Sequence, residues 1–233
     1  MEIVILGNGL LGSEIRKQTD WDMVCRQRDN FDITEPETYH RYLKYYDTVL
    51  NCIGFTDTYS LDMKRHWNIN YAGVAYLTDY CNFYKKKLIH ISTDYLYSNS
   101  VENSYEEDVP AHCNNWYGYT KLLGDGYIQL RLPADKYLII RTSFKPSPFP
   151  YDKAFENLRG NFDYVDTISE LIVQLIRKGA SGIYNVGTDS KSMYDLAIKT
   201  VPYVGKMIGK THHTMPENVT MDVSKMNNFL EEN

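Results

Sequence analysis

Short apolar runs alternate along this chain with stretches whose apolar positions recur at helical spacing, and this alternation predicts most of its elements. Glu2–Leu6, Met23–Arg26, Thr48–Cys52, Leu88–Ser92 and Tyr137–Ile140 read as strands. Leu10–Lys17, the segment from Pro36 to Lys44, His66–Tyr84 and Tyr117–Leu130 read as the helices between them, with Pro36 placed as first-turn prolines are. Strands that alternate with helices imply a parallel sheet covered on both faces, and right-handed crossovers wind it doubly. Beyond Thr142 the alternation loosens. Lys145–Pro150 is too rich in proline for a central strand or helix. Asp166–Lys178 and Ser192–Thr200 return to helix, and Ile183–Val186 to a short strand. The expected organisation is α/β: a doubly wound domain over 1–142, and a small lobe over 143–233 with elements returning to the first core.

Composition narrows the function classes. Of 233 residues 43% are hydrophobic, enough for a sizeable core. The net charge of −5 gives no basic stripe of the kind a nucleic-acid binder carries. No apolar run reaches the roughly 18 residues of a membrane span, and the chain enters a strand pattern without a leader. Four cysteines lie far apart without a C-x-x-C, as reduced thiols do, so a cytoplasmic location is expected. His212-His213 lacks partners at ligand spacing, so no metal is expected.

Gly7-Asn8-Gly9-Leu10-Leu11-Gly12 is a G-x-G-x-x-G loop between a strand and a helix. Its first glycine permits a tight turn, its second lets a pyrophosphate approach the backbone, and its third lets helix and strand pack closely. The phosphates then meet the free N–H groups of the helix start. The predicted fold is therefore a Rossmann fold that binds a dinucleotide. At the end of the second strand, Arg26 and Arg28 stand where an acidic residue would select NAD, so NADP is expected over NAD. Asp32 and Ile33 are placed beside the adenine.

Tyr117 and Lys121 form the only Tyr-x-x-x-Lys pair in the chain, one helical turn apart on one face. An ammonium there lowers a phenol's pKa and holds a ribose, and a phenol so tuned can protonate a carbonyl as hydride arrives. Thr93, at the carboxyl end of the fourth strand, offers a hydroxyl to the same carbonyl. Asn70 lies mid-helix, where asparagine is disfavoured, and so is assigned a buried bonding role.

Together these residues resemble the extended short-chain reductases, specifically the dTDP-4-dehydrorhamnose reductase family and its nucleotide-sugar relatives. Ser92-Thr-Asp-Tyr-Leu-Tyr97 is similar to that family's S-T-D-Y-V-F, and Tyr117-Gly-Tyr-Thr-Lys-Leu-Leu-Gly124 to its Y-G-x-T-K-L-x-G. Arg141-Thr-Ser-Phe144 resembles R-T-S-W, and Met221-Asp-Val-Ser-Lys225 resembles L-D-x-S-K. The resemblance implies Thr93, Tyr117 and Lys121 as the catalytic set with Asn70 in support. It puts Asn51-Cys52-Ile53-Gly54 on the nicotinamide side. The substrate side is Thr56, Thr93, Asp94, Tyr95 and Phe144, with Phe149 near the sugar. The glycine loop is one residue shorter than the family's G-x-x-G-x-x-G, tryptophan is replaced by Phe144, and the chain after Thr142 is shorter than in typical members.

The activity implied is NADPH-dependent reduction of a nucleotide-linked 4-keto-6-deoxyhexose, with a homodimer as the candidate assembly. Two alternatives accompany it. An epimerase or dehydratase with bound NAD would use Asp94 as an acid beside Thr93. A non-catalytic NADP-binding regulatory subunit would account for the short lobe.

Overall fold

The computed structural model describes residues 2–108 and 113–232. Its centre is a six-stranded parallel sheet: β1 (Ile3–Leu6), β2 (Asp22–Val24), β3 (Thr48–Asn51), β4 (Lys87–Ile91), β5 (Tyr137–Arg141) and β6 (Gly182–Asn185). The spatial order is β6-β5-β4-β3-β1-β2, so the chain reverses its winding between β1 and β3. At that switch point a crevice opens beyond the carboxyl ends of the strands, which is where open α/β sheets bind ligands.

Period-two alternation sends neighbouring side chains of each strand to opposite faces. Ile3 and Ile5 pack with Leu50, Ile89 and Leu138 against one layer of helices, α1 (Leu10–Gln18) and α4 (Val165–Arg177). Val4 and Leu6 pack with Val49, Leu88 and Ile139 on the other face, under Val74, Leu77 and Ile128. These last three come from α2 (Met63–Phe83) and α3 (Trp116–Arg131). Helix α4 presents Val165, Ile168, Ile172 and Ile176 at helical spacing, all buried. Each such side chain contributes about 1.5–3 kcal/mol of burial, so both layers are held by apolar contact with the sheet.

The lobe has a core of its own: Phe149, Ala154, Phe162, Tyr164, Met193, Leu196 and Val204. Short ladders frame it, Lys153–Phe155 with Gly205–Met207, and Arg159–Gly160 with Lys191–Ser192 and Asn218–Val219. Phe149, expected near the sugar, is a member of this core and 5% exposed. Its backbone N–H donates to Thr200 Oγ1.

Two boundaries differ from expectation. The second strand stops at Val24, and Arg26–Asp29 form a helical turn instead. The Asp29 carboxylate accepts the Cys25 N–H, closing the chain on itself. The long helix starts at Met63, three residues before His66, because Asp62 caps it by accepting the Arg65 N–H. Within α2, Trp67–Ala72 is π-helical, a departure that recurs at functional sites.

Candidate active site

The glycine loop lies at the carboxyl end of β1. Gly7 has φ +95°, where only glycine is unstrained, and a Cβ on Gly12 would sit 2.1 Å from the Gly7 carbonyl oxygen. Around Gly9 nothing lies within 4 Å of where a Cβ would be, so the backbone is open there. A cavity of about 320 Å³ adjoins it, lined by Gly7, Asn8, Gly9, Arg26, Gln27, Phe31, Asp32, Ile33, Cys52, Ile53, Gly54 and Ile69. This cradle fits a dinucleotide: an approachable backbone at a helix start, an arginine at one end and the β3 loop at the other. Leu10 is exposed at the first turn of α1, while Leu11 and Gly12 are buried against the sheet.

Of the expected cofactor residues, Gly7, Asn8, Gly9, Arg26, Asp32, Ile33, Cys52, Ile53 and Gly54 line this cavity, whereas Leu10, Leu11, Gly12, Arg28, Asn51, Tyr117 and Lys121 do not. The Arg28 guanidinium donates to the Asp29 carboxylate, 2.9 Å away, and to the Met23 carbonyl. Asn51 also turns away. Its Oδ1 accepts the Ile53 N–H at 3.0 Å and its Nδ2 lies 3.2 Å from His90 Nδ1. Arg26 is exposed and lies 3.5 Å from Asp32. Asp32 in turn accepts from the Thr34 N–H and hydroxyl.

Asn70 is fully buried in the π-helical segment. Its amide makes a two-way pair with the Phe55 backbone, accepting the N–H at 2.8 Å and donating to the carbonyl at 3.0 Å. It therefore braces the Cys52–Thr56 loop that forms one wall of the cavity. Thr56 itself is exposed on that loop.

At the carboxyl end of β4, Thr93 starts the helical turn Asp94–Tyr97 by accepting the Tyr95 N–H at 3.2 Å, and its hydroxyl donates to Asp94 at 3.3 Å. Asn115 caps α3 by accepting the Gly118 N–H, and this fixes Tyr117 in the first turn. The Tyr117 ring meets Tyr95 edge-on at 5.9 Å and His66 at 6.3 Å. Burial pushes its phenol up to about 12, and the Thr93 hydroxyl beside it pulls the other way. The expected lowering by Lys121 is not present. Lys121, 3% exposed, directs its Nζ to the Ile91 carbonyl and to His90 Nε2, 3.1 Å away. Burial brings Lys121 down to about 8.

Asp94 is 1% exposed and one of its carboxylate oxygens has no partner. Burial raises it to about 7. Phe144 is half-buried in a two-residue strand beside Asp163, packed against the core of the α1/α4 face. Tyr95 bonds through its hydroxyl to that of Tyr59 at 2.9 Å. Tyr59 stacks on His212 at 4.7 Å, beside a second cavity of about 350 Å³ that also takes in Trp116, Tyr119 and His213. Sequence reasoning passed over that aromatic cavity and His90. The signal for His90 was present, a lone polar residue inside the apolar run of β4.

Three comparisons bear on this arrangement. Residues 1–145 match the RmlD substrate binding domain family. The chain belongs to that family. The dTDP-4-keto-6-deoxy-D-glucose reductase of Streptomyces niveus is 26% identical over 226 residues, 87% of this chain and 78% of that protein. The dTDP-4-dehydrorhamnose reductase of Mycobacterium tuberculosis is 27% identical over 152 residues, and the match spans 61% of this chain and 49% of that one. Among solved structures, a hypothetical dTDP-4-dehydrorhamnose reductase from Sulfolobus tokodaii superposes with a TM-score of 0.83 at 22% identity, covering 99% of this chain and 95% of its own. The dTDP-4-dehydrorhamnose reductase of Bacillus anthracis, solved with NADP, gives 0.81 at 21% identity, covering 99% and 96%. These last two likenesses establish the fold: a mostly parallel sheet with helices on both faces.

Proposed function

We propose that this chain is an NADPH-dependent reductase of a nucleotide-linked 4-keto-6-deoxyhexose, of the short-chain dehydrogenase/reductase type. The observation that carries the reading is the convergence of Thr93 and Tyr117 at the carboxyl end of β4, beside a glycine-loop cavity at the switch point of the sheet. The relatives' names supply the substrate class.

In this reading Gly7–Gly12 hold the pyrophosphate and Arg26 the 2′-phosphate, while the loop braced by Asn70 walls the nicotinamide side. When bound, the reduced nicotinamide supplies a hydride to the keto carbon. Thr93 donates a hydrogen bond to the keto oxygen and fixes its position. Tyr117, un-ionised at neutral pH, gives its phenolic proton to that oxygen as negative charge develops there. Lys121 turns from His90 to the ribose and the phenol.

Residues 143–233 supply the substrate lobe, apart from α4 and β6, which return to the central sheet. The cavity formed by Tyr59, Trp116 and His212 takes the nucleobase between aromatic faces, since Tyr59 is joined to Tyr95 and Tyr95 packs on Tyr117. The protein is read as a soluble enzyme of the cytoplasm that works as a homodimer. Among the described residues no helix is long and apolar enough to cross a membrane.

The test is oxidation of NADPH by purified protein with dTDP-4-keto-6-deoxy sugars. Stoichiometric loss of the 340 nm absorbance with formation of the 4-hydroxy sugar supports the reading. NADPH that binds and stays reduced with every such sugar would overturn it in favour of a binding subunit.

A further inference from the structure

Lys121 has an unusual setting, built by two side chains with no part in the reaction as read above. Asn51 and His90 occupy paired positions on the neighbouring strands β3 and β4, so they point to the same face of the sheet. Both are fully buried. Asn51 Oδ1 accepts the backbone N–H of Ile53 at 3.0 Å, and this fixes which end of the amide faces His90. That end is Nδ2, a donor, 3.2 Å from Nδ1 of the imidazole. Nδ1 must then carry the ring's lone pair, because two N–H groups cannot bond each other. A neutral imidazole has one N–H, so it sits on Nε2. Nε2 lies 3.1 Å from Lys121 Nζ. An N–H aimed at Nζ needs a lone pair there, which an amine has and an ammonium lacks. On its other side Nζ donates to the Ile91 carbonyl.

We propose that Asn51 and His90 are positioning residues that favour the neutral amine of Lys121 over its ammonium in the cofactor-free protein, through a head-to-tail chain of hydrogen bonds from the Ile53 N–H to the Ile91 carbonyl. Every donor in that chain meets an acceptor, and each bond polarises the next. The proposal takes its functional meaning from the reading of Lys121 as partner of Tyr117, but its geometry stands without that reading.

The other groups around Lys121 pull in both directions. Asp125, one turn further along α3, favours the ammonium, but its carboxylate is paired with the buried Arg141 of β5 at 3.2 Å. The Cys52 thiol, at the end of β3, is pushed up to about 12 by burial and brings no charge. Tyr117, on the same helix, is likewise neutral. Burial alone disfavours the ammonium, and it holds His90 well below its ordinary range, so the ring is not an imidazolium.

The experiment is long-range ¹H–¹⁵N correlation spectroscopy on cofactor-free protein at a pH about a unit above the Lys121 value of about 8, with His90→Gln identifying the His90 signals by their loss. The expected result is an unprotonated Nδ1 and a protonated Nε2; a protonated Nδ1 overturns the proposal. Asn51→Asp then offers an acceptor to both the Ile53 N–H and the ring, reversing the chain. In folded Asn51→Asp the ring proton should move to Nδ1, and the Lys121 titration, followed through its side-chain ¹³C shift, should rise at least tenfold in proton affinity. An unchanged tautomer in folded Asn51→Asp also overturns the proposal. Should that variant not fold, the wild-type tautomer alone decides. Neither measurement uses turnover, so failure here and failure of the reductase reading are separately visible.

Discussion

Replacing Asn70 by leucine removes the brace of the cofactor wall without opening a cavity, because the two side chains are similar in size. The Phe55 N–H and carbonyl then lose partners at 2.8 and 3.0 Å. An unsatisfied buried polar group costs about 1–3 kcal/mol. Phe55 is only half-buried, so water recovers part of this, and the expected total is about 2–4 kcal/mol. Urea unfolding reads it directly: with a slope of roughly 2–3 kcal/mol/M the midpoint falls by about 1 M. Cofactor affinity falls as well, because the freed Cys52–Thr56 loop must be reordered on binding, and a tenfold rise in the NADPH dissociation constant corresponds to about 1.4 kcal/mol. Asn70→Asp should be worse than its size suggests, since it sets a carboxylate oxygen against the Phe55 carbonyl. A control at Asn68, two residues earlier, off the face that carries Asn70 and only half-buried, should cost little. If Asn70→Leu unfolds within about 0.5 kcal/mol of wild type and binds NADPH equally well, the bracing argument is wrong.

Three further outcomes follow from the same geometry. Arg26→Ala should weaken NADPH at least tenfold while leaving NADH nearly unchanged, whereas Arg28→Ala, whose guanidinium is already committed to Asp29, should spare both; calorimetric titration with each cofactor checks this, and equal losses for NADPH and NADH at Arg26 would refute the 2′-phosphate assignment. Asp94 is raised to about 7 in the folded protein against an ordinary value near 4, so between those limits the unfolded chain releases a proton that the folded one keeps. Stability attributable to Asp94 is therefore full below pH 4 and is lost as pH rises to 7 and beyond, by about 4 kcal/mol at about 1.4 kcal/mol per unit. Asp94→Asn should gain on wild type across that window, and parallel denaturation curves at pH 4 and 8 would contradict it. Gly12→Ala drives a methyl to 2.1 Å from the Gly7 carbonyl oxygen, so it should abolish cofactor binding in any variant that still folds, as read by fluorescence titration.

Much of this was legible in the chain itself because it rests on local periodicity. The apolar runs at Ile3–Leu6, Thr48–Asn51 and Tyr137–Arg141 became strands, and the glycine loop and Tyr117/Lys121 fell at the sheet edge where their spacing put them. The residues misjudged depend on partners distant in sequence or on single polar bonds. The second strand ends at Val24 because one carboxylate, Asp29, reaches back to the Cys25 N–H. Arg28 was assigned by position, but Asp29 and the Met23 carbonyl occupy it. Phe149, in a proline-rich stretch, was placed near the sugar, yet it fills the lobe core beside Met193 and Leu196, which only the folded chain brings near. Lys121 was expected to serve Tyr117 and the ribose. Its link to His90 spans 31 residues and requires the β3–β4 register, which no spacing rule reveals.

The central claim is that the Tyr117 phenol delivers a proton to a keto oxygen in step with hydride transfer. Single-turnover oxidation of enzyme-bound NADPH by a dTDP-4-keto-6-deoxy sugar, comparing wild type with Tyr117→Phe, tests it most directly. The variant loses only a hydroxyl, so cooperative unfolding and NADPH affinity should persist while the rate drops roughly a hundredfold or more, the scale of a lost general acid. A Tyr117→Phe protein that binds NADPH normally and oxidises it at the wild-type rate would contradict the account.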